Sequence, residues 1–127
     1  MKKPTETFDQ FDVVRVPYPF TDTSASKNRP ALVLSDAALF NDLIVHSVMA
    51  MITSKGNDPW PFDCEIRNLK DAGLPAPSKV RFKLFTLDHR LVRGKIGRLD
   101  FEDSRLVSAA IAGMLQCGEY GAACAAP

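Results

Sequence analysis

An arginine and two hydroxyl-bearing residues offer the clearest chemistry in this sequence. Arg29 follows a polar loop over residues 21–28, and Pro30 after it favours an extended backbone. Thr53 and Ser54 end a later apolar segment. A guanidinium is permanently charged and binds two phosphate oxygens at once, and a neighbouring hydroxyl can donate a further hydrogen bond. These residue types predict a phosphate-binding site, although a plain surface arginine and a strand-end threonine explain each position taken alone.

The histidines and cysteines do not indicate a metal or redox site. His46 lies on the predicted buried face of its strand, which favours a hydrogen-bonded core residue. His89 lies in a turn-like stretch and is expected to be more exposed. The cysteines are odd in number and match no zinc or redox spacing (Cys64, Cys117, Cys124). No metal or other cofactor is therefore expected.

Length and composition indicate one folded domain. The chain has 127 residues, of which 46% are hydrophobic and 24% are charged. We expect the folded part to cover residues 8–117 and a flexible tail to follow at 118–127. No apolar run reaches the roughly 18 residues of a membrane helix, and the N-terminus has no apolar signal core. A cytoplasmic protein is therefore expected.

A net charge of +1 conceals an uneven distribution. Residues 78–100 hold seven Lys or Arg and two Asp, a local charge of +5. Within residues 78–87, Lys79, Arg81 and Lys83 alternate with apolar residues, which predicts a strand with one buried face and one wet, basic face. Such a stripe is typical of polyanion sites, and an ordinary solvated strand face is the alternative.

Short strands and one helix make up the predicted fold. Proline spacing favours an edge strand at 12–20, and a nearly continuous apolar run favours a strand covered on both faces at 30–35. A loop rich in Gly and Pro is expected at 68–77. The other predicted strands are 43–54, 62–67, 78–87 and 91–99. An amphipathic helix follows, with Asp100 as N-cap and Gly118 able to stop it. This order indicates a mainly β (α+β) fold, a small, partly open SH3-like barrel with a C-terminal helix.

These residues resemble the PemK/MazF family of toxin endoribonucleases. The similarity runs in order from about residue 10 to residue 115. The segments that carry it are VPYPFTD at 16–22, RPALVLS at 29–35, MITS at 51–54, WPFD at 60–63 and KVRFKLFTL at 79–87. The segment at 29–35 is the most specific, whereas the one at 51–54 is informative only through its place in this order.

The resemblance implies an SH3-like homodimer that cleaves single-stranded RNA at short sequences without a metal. Cleavage would leave a 2′,3′-cyclic phosphate and a 5′-hydroxyl, and a cognate antitoxin protein would neutralise the toxin. By position, Arg29 is the catalytic arginine and Thr53 the catalytic threonine. Some members carry a glutamate in the loop before the arginine, whereas residues 21–28 contain Asp22 as their only acid. The role of a loop carboxylate therefore stays open.

An arginine suits one task of RNA cleavage better than the others. The pKa of a guanidinium exceeds about 12, so it is a poor general base but a good stabiliser of the phosphorane charge. We therefore assign that role mainly to Arg29, while Thr53 would orient the phosphate. Single-stranded RNA also needs cations along its backbone and aromatic rings beside its bases. The candidates for those contacts are Tyr18, Lys27, Ser54, Lys55, Trp60, Lys79, Arg81 and Lys83.

Two other functions stay open at this point. A non-catalytic RNA-binding or interaction module could use the same surface. A gyrase-directed toxin shares the barrel, but that class depends on a tryptophan near the C-terminus, and the sole tryptophan here is Trp60. An Arg29 variant that loses RNA cleavage and keeps RNA binding would distinguish a catalyst from a binder.

Overall fold

Six strands and three α-helices form the described part of the chain. The computed structural model describes residues 7–18 and 27–116. The strands are β1 (Asp12–Tyr18), β2 (Lys27–Val33), β3 (His46–Ser54), β4 (Cys64–Glu65), β5 (Ser78–Asp88) and β6 (Gly94–Arg98). The helices are α1 (Asp42–Ile44), α2 (Leu69–Ala72) and α3 (Phe101–Met114). A π-helical turn at Ala37–Asn41 precedes α1, and a 3₁₀ turn at His89–Leu91 follows β5.

All six strands belong to one antiparallel sheet, in the order β4-β5-β3-β2-β1-β6. The sheet curls into a half-barrel, and the C-terminal helix α3 packs against it. The predicted fold class, a small, partly open SH3-like barrel with a C-terminal helix, is confirmed. None of the helices in the described ranges is long and apolar enough to cross a membrane.

Apolar side chains cover both faces of the sheet. The first cluster lies beneath α3 and includes Val13, Leu32, Ala50, Ile52, Val80, Phe82 and Val107. The second includes Phe8, Val14, Val16, Ala31, Val33, Met49 and Leu87. Because β2 supplies Leu32 to the first cluster and Ala31 and Val33 to the second, its apolar run is buried on both sides, as predicted.

The pairing of β3 with β5 contains an irregularity. Met49 lies opposite Phe85 and Met51 lies opposite Arg81, so three residues of β5, 82–84, face the single residue between the two methionines. This bulge leaves Leu84 40% exposed. The two halves of β5 can therefore each follow β3 in register while the strand between them bends.

The first turn of α3 is fixed by two aspartates. Asp100 is the N-cap, as predicted, and accepts a hydrogen bond from the Asp103 N–H at 2.8 Å. The Asp103 side chain is buried and accepts the backbone N–H groups of Arg67 and Asn68 at 3.1 and 2.9 Å. The helix is thereby tied to the chain that follows β4. The predicted stop at Gly118 lies outside the described residues.

Replacing Asp103 by alanine is expected to lower the free energy of unfolding by about 2 kcal/mol, because two inward-facing N–H groups lose their acceptor. Chemical denaturation would measure the change. The matched control is Glu102→Ala, in the same turn but with a side chain 62% exposed, for which a change below about 0.5 kcal/mol is expected. Equal stabilities for the two variants would contradict the structural role of Asp103.

The prediction that β1 is an edge strand is wrong. β1 lies between β2 and β6, and its residues Asp12–Arg15 pair with β6. The Arg15 carbonyl accepts the Arg93 N–H on the β6 side, and Pro17, two residues later, faces that same side beyond the end of the pairing. The proline is tolerated because no strand is bonded there, so the edge is local to one end of β1.

The predicted start of β3 is also wrong, because residues 42–44 are helical. The Asp36 carboxylate accepts the Leu39 N–H at 2.9 Å and starts the π-helical turn that leads into α1. Val45 then adopts a left-handed backbone with φ 56°, which turns the chain into β3. Local capping therefore overrides the apolar pattern that favoured a longer strand.

A short helix, α2, occupies part of the predicted loop at 68–77. Asn68 accepts the Asp71 N–H at 3.0 Å and caps its start, and Gly73 ends it with φ 74°. A side chain at Gly73 would also collide with the Ile96 backbone. The strands predicted at 62–67 and 91–99 are shorter than expected, since β4 has 2 residues and β6 has 5.

The expected environments of the histidines are reversed. His89, predicted to be exposed, is 3% exposed and its Nε2 hydrogen-bonds the Ser47 hydroxyl at 2.6 Å. Its ring also meets Phe8 edge-on, with ring centroids 5.1 Å apart. His46, predicted to lie in the core, has a side chain 38% exposed and hydrogen-bonds the Ile44 carbonyl through Nδ1. The 3₁₀ turn after β5 places His89 under the N-terminal segment, which sequence spacing does not reveal.

Candidate functional site

The sheet brings Arg29 and Thr53 to one cleft. Ala31 of β2 lies opposite Met51 of β3, and both candidate residues lie two positions further along on the same face of the sheet. Thr53 lies opposite Lys79 of β5 on its other side. Arg29, Thr53 and Lys79 therefore form a row across three neighbouring strands. This juxtaposition follows from strand register, and the three residues are about 25 positions apart from one to the next in sequence.

Two adjoining clefts, of about 290 and 110 Å³, share Arg29 and Thr53 in their walls. The larger cleft is also lined by Ser54, Asn57 and the segment 74–78. The smaller cleft is completed by Met51, Ile52, Arg81 and Lys83. A phosphate held between Arg29 and Thr53 would therefore have space on both sides for the rest of the ligand that carries it.

Arg29 is free to bind a ligand. Its side chain is exposed and makes no hydrogen bond or ion pair with any residue in the described ranges. By contrast, the Thr53 hydroxyl is already held, because it accepts a hydrogen bond from the Asn57 side-chain amide at 2.5 Å. The two clefts thus share an available guanidinium and an oriented hydroxyl.

Asn57 was not predicted as a site residue. It lies in a Gly-Asn-Asp-Pro turn, and turn chemistry is the only signal that its sequence context gives. Its backbone N–H donates to the Ser54 carbonyl at 3.1 Å, and its own carbonyl accepts from the Lys79 ammonium at 2.7 Å. Both contacts direct its side chain toward Thr53, and neither is visible in sequence spacing.

Asp63 is a second residue that sequence reasoning missed. Its carboxylate lies 3.0 Å from the Lys79 ammonium, accepts from Arg81 Nη2 at 3.1 Å, and accepts the Trp60 N–H at 3.1 Å. Burial raises the pKa of this carboxyl, but the hydrogen bonds from Arg81 and Lys79 outweigh burial and leave the pKa below its ordinary value. Asp63 is therefore a charged anchor for the loop over residues 55–63.

The prediction of a wet, basic face on β5 is wrong for two of its three cations. The side chains of Lys79 and Arg81 are 10% and 15% exposed, because the 55–63 loop folds over them and pairs them with Asp63. Lys83, at the bulge, remains exposed. Alternation correctly separated these cations from Val80 and Phe82 of the first apolar cluster, and a loop rather than water covers Lys79 and Arg81.

Trp60 is partly covered by the same cations. Arg81 and Lys83 lie over its ring, 5.5 and 5.2 Å from the centroid. The residue is nevertheless 40% exposed. Trp60 therefore adjoins two residues, Arg81 and Lys83, that line the smaller cleft.

Of the remaining candidates in the described ranges, Ser54 lines the larger cleft, whereas Lys27 and Lys55 line neither of the two clefts. Lys27 is exposed at the start of β2, opposite Tyr18 in the β1–β2 pairing. Lys55 forms an exposed ion pair with Glu65 at 3.0 Å. Asp22, the acid of the loop before Arg29, lies outside the described residues.

Metal-ligand clusters are not formed by the residues that the structure describes. Within 7–18 and 27–116, no three His, Cys, Asp or Glu side chains are grouped closely enough to hold a metal ion. Cys64 is half-buried beneath α3, and burial raises the pKa of its thiol. A half-buried thiol with a raised pKa suits a structural role for Cys64, whereas Cys117 and Cys124 lie outside the described residues.

Solved structures with the same fold include toxins and toxin–antitoxin complexes. MazF from Deinococcus radiodurans has a TM-score of 0.67 and 23% identity, over 87% of this chain and 97% of that one. The MazE–MazF complex from the same organism has a TM-score of 0.69 and 19% identity, over 87% of this chain and 97% of that one. A mycobacterial endoribonuclease in complex with its cognate antitoxin has a TM-score of 0.68 and 17% identity, over 87% of this chain and 96% of that one. At these identities the likeness establishes the fold.

Family membership rests on a separate comparison of sequence. No curated protein matches this chain significantly. Residues 9–115 match the model of PemK-like, MazF-like toxins of type II toxin–antitoxin systems. The match covers most of the chain, includes Arg29, Thr53 and Asp63, and agrees with the six-stranded half-barrel. The chain belongs to the PemK-like, MazF-like toxin family of type II toxin–antitoxin systems.

Proposed function

We propose that this protein is an endoribonuclease toxin that cleaves single-stranded RNA at short sequences and is neutralised by a cognate antitoxin. The observation that carries the proposal is the pairing of two residues in the wall that two adjoining clefts share: Arg29, whose guanidinium has no partner among the described residues, and Thr53, whose hydroxyl is oriented. Family membership supports the same activity. The fold neighbours include an endoribonuclease bound to its antitoxin.

The proposed reaction is an internal transesterification of RNA. The ribose 2′-oxygen attacks the adjacent phosphorus, the bond from phosphorus to the 5′-oxygen breaks, and a 2′,3′-cyclic phosphate and a 5′-hydroxyl result. A proton moves overall from the 2′-hydroxyl to the 5′-oxygen. Arg29 would bind the non-bridging oxygens and stabilise the charge that they gain in the phosphorane. Thr53 would donate a hydrogen bond that fixes the phosphate. Metal independence stays a prediction.

RNA binding is assigned to the exposed members of the predicted set. Lys83 lines the smaller cleft, Lys27 is exposed on the same strand as Arg29, and the exposed Trp60 would offer its ring to a base. Lys79 and Arg81 are reassigned, because their partner is Asp63 and their burial leaves little surface for a phosphate. Ser54, Lys55 and Tyr18 stay as predicted RNA contacts.

The partners of the toxin are proposed on the same basis. Membership of a type II toxin–antitoxin family supports a cognate antitoxin that binds the toxin directly. A homodimer is also proposed, since several large apolar side chains are exposed on one protomer and association would cover them. They include Leu39, Leu43, Ile44 and Leu91. Sedimentation at micromolar concentration would test the dimer.

Cleavage of a long RNA by the purified protein in EDTA tests the proposed activity. We expect a small set of cuts with 5′-hydroxyl ends, found by mapping the 5′ ends of the fragments. RNA binding without cleavage would favour the non-catalytic module. Cleavage that EDTA abolishes and Mg²⁺ restores would contradict the metal-free reaction. Inhibition of gyrase in the absence of RNA cleavage would favour the protein-directed toxin.

A further inference from the structure

The hydrogen bond between Asn57 and Thr53 has a direction. Asn57 Nδ2 donates and Thr53 Oγ1 accepts, at 2.5 Å. A hydroxyl has one proton and two lone pairs, so a hydroxyl that accepts at one lone pair keeps its proton for another partner. The Thr53 side chain lines the clefts that also contain Arg29. Its proton is therefore available to an acceptor that enters there.

A phosphate is such an acceptor. Its non-bridging oxygens carry no protons, so they bind only donors, and Arg29 is a donor as well. We propose that Asn57 is a positioning residue that fixes Thr53 as a hydrogen-bond donor toward the scissile phosphate of RNA. This inference rests on the proposed function, and it adds a residue that acts through Thr53 without touching the reacting atoms.

Asn57 is itself held from two sides. Its backbone N–H donates to the Ser54 carbonyl at 3.1 Å, which closes the turn after β3. Its carbonyl accepts from the Lys79 ammonium at 2.7 Å, and the same ammonium lies 3.0 Å from Asp63. Because the Lys79 side chain is 10% exposed, water competes little for these contacts. The 55–63 loop thus presents the Asn57 amide to Thr53 before substrate arrives.

Loss of the amide would allow the threonine to rotate. Without a donor at Oγ1, the hydroxyl proton can turn to other acceptors and the χ1 angle can sample other rotamers. Restoring the productive state in the transition state would then cost about one hydrogen bond, which corresponds to roughly a tenfold loss of rate. Asp at this position would be worse, since a carboxylate only accepts and would draw the Thr53 proton toward itself.

Single-turnover cleavage of an RNA oligonucleotide that spans a mapped cut tests the proposal. Asn57→Ala is expected to lower the rate constant at saturating protein about tenfold, and Asn57→Asp to lower it further at every salt concentration. Affinity for the same oligonucleotide with a 2′-deoxyribose at the cut should change less than about twofold in Asn57→Ala, because the ground-state contacts stay in place. Asp58→Ala, in the same exposed turn, should cleave at the wild-type rate.

A double-mutant cycle separates positioning from a general structural effect. In a Thr53→Ala background, Asn57→Ala should have no further effect on the rate constant, because Asn57 acts only through that hydroxyl. A tenfold loss that persists in this background would overturn the proposal. So would an Asn57→Ala variant that cleaves at the wild-type rate.

A measurement that needs no activity distinguishes failure of this inference from failure of the proposed function. Three-bond NMR couplings to the Thr53 methyl carbon report its χ1 angle. We expect one rotamer in the wild-type protein and averaged values in Asn57→Ala. One unchanged rotamer in both proteins would overturn the positioning role, even if RNA is cleaved. Absence of RNA cleavage by the wild-type protein would overturn the assignment of Thr53 to RNA, and the positioning role toward a scissile phosphate with it.

Discussion

Replacing Arg29 by alanine is expected to slow RNA cleavage by about 100- to 1,000-fold, the range for losing a main transition-state donor. The side chain binds nothing among the described residues, so its loss leaves the cleft without the cation proposed to face the phosphorane. For the same reason the free energy of unfolding should change by less than about 0.5 kcal/mol. Single-turnover cleavage and chemical denaturation measure the two quantities.

Arg29→Lys is the informative second variant. It keeps a positive charge but loses the planar fork that binds two oxygens, so partial activity is expected, between those of the wild type and Arg29→Ala. Lys27→Ala is a matched control, because it removes an exposed cation two residues earlier on the same strand and should weaken RNA binding more than catalysis. Full activity of Arg29→Ala would contradict the catalytic assignment.

Replacing Asp63 by alanine is expected to lower the free energy of unfolding by about 3 kcal/mol, near the low end for leaving buried charges unpaired. Asp63 is the common partner of Lys79 and Arg81, and all three side chains are no more than 15% exposed. The matched control is Glu65→Ala. It removes an ion pair with Lys55 whose two side chains are about half exposed, and it should cost less than about 1 kcal/mol.

The same pairing predicts a dependence on pH. The pKa of Asp63 is lower in the folded protein than in the unfolded chain, so its contribution to stability is fully present above the unfolded value of about 4. That contribution is lost as the pH falls through the folded-state pKa. The difference in unfolding free energy between the wild type and Asp63→Asn should therefore shrink below about pH 4. A difference that stays constant from pH 7 to about pH 3 would contradict the ion-pair role.

RNA cleavage should also respond to Asp63→Ala, because the 55–63 loop carries Asn57 and Trp60. Reversing the charge of Lys79 or Arg81 would break its ion pair with Asp63 and displace the 55–63 loop, so a loss of RNA binding could come from either cause. For that reason Lys83→Glu is the cleaner test of electrostatic attraction. Lys83→Glu makes fewer phosphate contacts than the wild type, so its binding releases fewer counterions and its RNA affinity depends less on salt. The difference in RNA affinity between the two proteins should therefore become smaller as the salt concentration rises.

Sequence patterns predicted which residues and strands form the site better than they predicted the contacts around them. Short-range signals placed Thr53 correctly near the end of its strand. They expected Arg29 where a loop meets a strand, whereas it is the third residue of β2, which begins at Lys27. The resemblance to a known family then identified the two residues as a pair. Their meeting in one cleft depends on the β2–β3 register, which no local pattern encodes.

Lys79 shows why the rest could not be predicted. Period-two alternation tells which side of β5 faces away from the core, and it says nothing about a loop that lies on that side. The cover comes from Asp63, 16 residues earlier in the chain, and the pairing depends on the path of the 55–63 loop. His89 was misplaced for the same reason, since its partner Ser47 is 42 residues away. Long-range contacts of this kind leave no periodic trace.

The bulge in β5 sets a rule for length variation in this strand. Its three residues stand opposite one residue of β3, an excess of two, so Arg81 and Phe85 keep the same parity and point to the same face. Removing two residues there would straighten the strand and leave Lys79 and Arg81 facing Asp63. Between Ser78 and Arg81, where the pairing is regular, inserting or deleting a single residue would turn that half of the strand over and exchange the buried Lys79 with Val80. Single insertions and deletions in this strand should therefore be tolerated only at the bulge, which can absorb an odd number of residues.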